Sequence, residues 1–76
     1  MKRITRDQLV ETVAESLPYA LVRDVPAIRM ACNDTADSYR KDGYTVPDFS
    51  QDRLVKAVQH MMQTNALYLL ENGAQP

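Results

Sequence analysis

Only a few residues in this chain have the chemistry of a reactive site. Cys32 and His60 are a nucleophile and a base by type, and each is the only residue of its kind. Acting together they would need a third group to orient the imidazole. Cys32 falls instead in the middle of an apolar helical stripe, where a small core residue is expected. His60 falls with Lys56, Gln59 and Gln63 on a polar helix face. The pairing is therefore rejected.

Asp34 and Asp37 are three residues apart, so on one helix both carboxylates can point the same way and share a divalent cation. Such a site needs further carboxylates from a facing helix. Glu11 and Glu15 are the available donors, and both lie opposite the apolar stripe of their own helix, facing water. With Gly43 and Gly73 as the only glycines, the chain has no phosphate-cradling loop, and nucleotide motifs are absent. The expectation is a protein without catalytic residues, metal or cofactor.

Binding is the remaining chemistry, and three surfaces suggest it. The first is the end of the last helix. Leu54, Val55, Val58, Met61, Met62 and Leu69 form its inward stripe, but Ala66, Leu67, Tyr68, Leu69 and Leu70 are apolar around nearly the whole circumference. A helix hydrophobic all round should be covered all round, and a short chain has little left to cover it. Met61, Met62, Asn65, Leu67, Tyr68 and Leu70 are the expected partner or dimer interface. Asn65 lies near the centre of the stripe, where one polar side chain can fix the register of a helix pair. The methionines supply a surface that adapts to partners.

The second surface is Met30 among Arg29, Asn33, Asp37 and Arg40, with Arg29, Met30 and Arg40 as its anchors. The third is the row Arg53, Lys56, Gln59, His60, Gln63 and Thr64, which could read base edges. Nine basic and ten acidic residues leave a net charge of -1, with only a mild basic cluster at Lys2, Arg3 and Arg6. Nucleic-acid binders usually carry a clear basic excess. Residues 43–49 also make a connection longer than the turn of about three or four residues in a helix-turn-helix. A DNA-binding regulator is therefore the alternative to a protein-interaction module.

These faces require three helices. The first should run over about 5–17, opened by a capping box of Thr5 and Gln8 with Ile4 and Leu9 as its hydrophobic staple. Leu9, Val10, Val13, Ala14 and Leu17 form its inner face; Asp7, Glu11, Thr12 and Glu15 form the outer one. Pro18 stops it. Residues 19–25 are apolar, either an extended linker or one more helical turn at 19–23. Asp24 caps a second helix over about 25–42, with Pro26 in its first turn. Its stripe is Ile28, Ala31, Cys32, Thr35, Ala36 and Tyr39. Arg40 and Lys41 favour the negative end of its dipole, and Gly43 follows as the left-handed residue. Residues 44–48 read as an extended linker. The third helix opens at Ser50, with Phe49 and Leu54 at staple spacing, and runs to about 72, on the order of 33 Å. Gly73 ends it, and 73–76 read as a frayed tail.

The sum is an all-α, small three-helix bundle with a long C-terminal helix, one domain over residues 1–76. At 76 residues and 45% hydrophobic content the chain folds, but its core is thin, burying about 60% of the unfolded surface. A lone cysteine excludes a disulfide scaffold. The absence of a long apolar run excludes a membrane-spanning helix, and Asp7, Glu11 and Glu15 interrupt any signal-peptide core. A cytoplasmic, bacterial-type accessory factor that forms a homodimer or binds a partner protein is the resulting expectation.

Overall fold

The computed structural model describes residues 2–73, with side chains through Glu71. It is an all-α three-helix bundle with one two-stranded parallel pair. The elements are β1 (Lys2–Arg3), α1 (Arg6–Ser16), a 3-10 turn (Tyr19–Leu21), α2 (Val25–Lys41), β2 (Tyr44–Thr45), α3 (Gln51–Tyr68) and a closing π-helical turn (Leu69–Gly73).

The local signals act where the sequence places them. Thr5 is extended, its Oγ1 accepts from the Gln8 amide at 3.0 Å, and Gln8 Oε1 accepts from the Thr5 amide at 2.8 Å. Two orphan donors of α1 are thereby satisfied. At the other end Leu17 is extended (φ -108°, ψ 135°), as the ring of Pro18 demands. The chain then takes the helical alternative for residues 19–23: a single 3-10 turn in which the Val22 amide donates to the Tyr19 carbonyl at 2.9 Å. Asp24 Oδ1 accepts from the Ala27 amide at 3.2 Å to open α2. Gly43 ends that segment with φ +90°, a conformation side chains resist, and its amide donates to the Arg40 carbonyl at 3.0 Å.

Three expectations need correction. Residues 44–45 are not a plain linker, because β2 pairs in parallel with β1 in the register Lys2 with Tyr44 and Arg3 with Thr45. The Ile4 amide extends the pair by donating to the Thr45 carbonyl at 3.1 Å. The last helix is not α-helical to residue 72: it widens into the π-helical turn after Tyr68. Residue 73 belongs to that turn, and the tail at 74–76 lies outside the described residues. Thr12 does not simply face water. It is half-buried, its Oγ1 donates to the Gln8 carbonyl at 2.9 Å, and it lies 2.9 Å from the Tyr39 hydroxyl. With the threonine proton engaged on Gln8, the tyrosine is the donor.

The core is thin and continuous. Leu9 and Val13 of α1 meet Ile28 and Cys32 of α2 and Leu54 and Val58 of α3, all essentially sealed from solvent. Cys32 is a core residue, and burial pushes its thiol pKa above the ordinary value by disfavouring the thiolate. All three helix pairs are in contact. The molecule is elongated, 41 × 25 × 16 Å.

Candidate interaction surface

The surface at the end of α3 follows from where its neighbours stop. Along α3 the inward positions are Leu54, Val55, Val58 and Met62, all buried. Steps of three and four residues continue that line to Asn65 and Leu69. By then α1 has ended, and the cleft against α3 is lined by Ala14 of its last turn and by Leu17, the extended residue that follows it. The stripe runs on while its cover does not. Leu69 is accordingly 56% exposed, although its position on the helix is an inward one.

The neighbours of Leu69 are equally open. Leu67 is 60% exposed, Tyr68 63% and Leu70 73%, and Tyr19 of the 3-10 turn adds a ring 53% exposed. Tyr19 does not close over the helix end; it forms one wall of a shallow cleft of about 530 Å³ with Gln63, Ala66, Leu67 and Leu70. The 3-10 turn is itself anchored further back, where Gln59 Nε2 donates to the Val22 carbonyl at 2.8 Å and Val22 is buried. That anchor holds Tyr19 beside residues 63–70 without covering them.

Electrostatically the surface is blank. Residues 57–70 contain no Asp, Glu, Lys or Arg, in a chain in which a quarter of the residues are charged. Lys56 precedes the blank run and Glu71 follows it. This was legible in the sequence, as a gap in charge rather than as a motif.

Of the six residues expected at this interface, Leu67, Tyr68 and Leu70 are exposed together. Met62 is not among them: at 4% exposure it is a core side chain, because its turn still lies beside α1. Met61 is half-buried and packs against the core, lining a separate cleft with Arg6, Val10, Ala57, His60 and Thr64. Asn65 is not the buried centre of a stripe; it is exposed at the rim of the cleft with Leu17 and Leu69. Leu69 and Tyr19 were missing from that set, the first counted in the inward stripe and the second in the segment 19–25 between two helices.

The other two surfaces are more engaged. Met30 is exposed, but Arg29 reaches Asp52 of α3 at 3.3 Å and Arg40 reaches Asp37 at 3.0 Å. Asn33 Oδ1 accepts from Gln51 Nε2 at 3.0 Å. This face ties α2 to the first turn of α3. On the row expected to meet nucleic acid, Arg53, Lys56, His60, Gln63 and Thr64 are exposed, whereas Gln59 is held by Val22.

The chemistry-bearing residues remain apart. Cys32 is buried while His60 is exposed, and Asp37 is held by Arg40 while Asp34 lines a cleft with Ser38, Tyr39 and Asp42. Among the described residues no cluster of three or more His, Cys, Asp or Glu could hold a metal ion. Nor is any helix among them long and apolar enough to cross a membrane. No family profile, curated protein or solved structure matches this chain.

Proposed function

We propose that this chain is a non-enzymatic interaction module, a small accessory or regulatory factor that associates with another protein surface through the C-terminal end of α3. The observation that carries the reading is the run Leu67, Tyr68, Leu69 and Leu70, four large apolar side chains in succession, each more than half exposed. Single exposed leucines are ordinary, but a contiguous apolar patch on a small domain marks a contact surface. A protein surface is favoured over nucleic acid because the patch carries no charge to meet phosphate and Gln59 is already engaged.

A photoreactive side chain in place of Leu67 tests this in the native cell. The reading expects protein adducts from position 67 that Leu70→Glu suppresses, with none from the same group at Lys56. Equal labelling at both positions, or none at 67, overturns it.

A further inference from the structure

Resting on that reading, we infer that the occupant of the α3 end is a second copy of this chain, its α3 antiparallel to the first and crossing it at Ala66. Area, charge and shape each point there.

At roughly 200 Å² for a large side chain, the exposed fractions of Tyr19, Leu67, Leu69 and Leu70 amount to on the order of 500 Å² per copy. Two copies together would remove about 1,000 Å², the size of a weak, reversible contact. The patch therefore suffices for a reversible dimer when an equally apolar patch meets it, and a two-fold axis supplies that match, because the same side chains face one another.

Charge selects the orientation. Two copies of the blank run bring no like charges together. An antiparallel overlay also opposes the two helix dipoles, which a parallel overlay would align.

Shape fixes the crossing. Gln63, Ala66 and Leu70 recur at three and four residues, so they share one side of α3, and Tyr19 stands beside them in the same cleft. Ala66 is the small residue of that side and lets two backbones approach. Leu67 and Leu70 of each copy then project into the cleft walled by Tyr19 and Gln63 of the other. The same side chains are knob in one copy and wall in the other.

Sedimentation equilibrium of the full chain, over a wide concentration range, tests the assignment together with one engineered thiol. The wild type is expected as a reversible monomer–dimer. Leu67→Glu and Leu70→Glu should each weaken the dimer at least tenfold and leave the melting temperature unchanged at concentrations where the wild type is monomeric. Ala66→Cys should give a disulfide-linked dimer on mild oxidation, whereas Lys56→Cys and the wild type, whose Cys32 is enclosed, should not. A wild type that stays monomeric, a dimer that survives Leu70→Glu, or failure of Ala66→Cys to cross-link overturns the inference. A monomer that still gives cellular adducts at position 67 loses self-association but keeps the interaction reading; a monomer without adducts loses both.

Discussion

Two tyrosines mark the contrast between the end of α3 and the strap, the β1–β2 pair with the residues that pack on it. Tyr44 is half-buried: the Tyr39 ring meets it edge-on with centroids 5.3 Å apart, and the Lys2 ammonium stands 5.3 Å from its ring centre. Tyr68 is mostly in water. The strap is closed by contacts distant in sequence: the β1–β2 pair, Ile4 on Thr45, and Thr12 on Tyr39. Residues 66–70 gain only open cleft walls, Tyr19 on one side and Ala14 with Leu17 on the other. Apolar content alone therefore does not decide burial; whether another segment reaches the same place does.

The largest expected effect belongs to the shared core. Leu54→Ala, at a fully enclosed position, should cost about 2–5 kcal/mol in urea unfolding. Leu69→Ala, on the same inward line of α3, should cost about 0.5 kcal/mol or less. Equal costs would mean that the end of α3 is covered after all, and the contrast would fail.

Within the strap, Thr5→Ala should lose about 1 kcal/mol with the capping box. Tyr39→Phe should lose about 0.5–1.5 kcal/mol with the Thr12 bond, whereas Tyr68→Phe should leave the urea midpoint unchanged. A Tyr39→Phe variant as stable as the wild type would show that the bond between Thr12 and Tyr39 does not help to close the strap.

A smaller effect concerns Cys32. Burial raises its folded-state pKa, so the folded thiol keeps its proton to higher pH than the unfolded one. Its contribution is complete below the ordinary thiol value near 9.0 and is lost as pH climbs above that toward the folded value. Cys32→Ala should flatten this part of the alkaline stability curve. Alkylation of the native thiol should be slow and become fast only on unfolding; fast native labelling would contradict a sealed core.

The difference between the two regions also explains what was readable in advance. Thr5 with Gln8, Pro18, Asp24 before Pro26, and Gly43 act over one turn of chain, and each set its element boundary to within a residue or two. The inward face of α3 was equally legible through Leu54, Val55 and Val58. Two-residue strands carry no periodicity, so the pairing of Lys2 with Tyr44 was silent. Helical spacing names a face but not the point at which the neighbouring helix ends. Met62 and Asn65, three residues apart, were therefore given the wrong surroundings: one is core and the other rim. Thr12 was misplaced because a hydroxyl reads as solvent-facing until a distant tyrosine claims it.

Amide chemical shifts followed on dilution test the central claim most directly, since they report every backbone position at once. The account predicts concentration-dependent shifts at Tyr19 and across residues 63–70, with β1, β2 and the start of α1 unmoved, and loss of those shifts in Leu70→Glu. Shifts centred on the strap, or a spectrum indifferent to concentration, would contradict self-association through the end of α3.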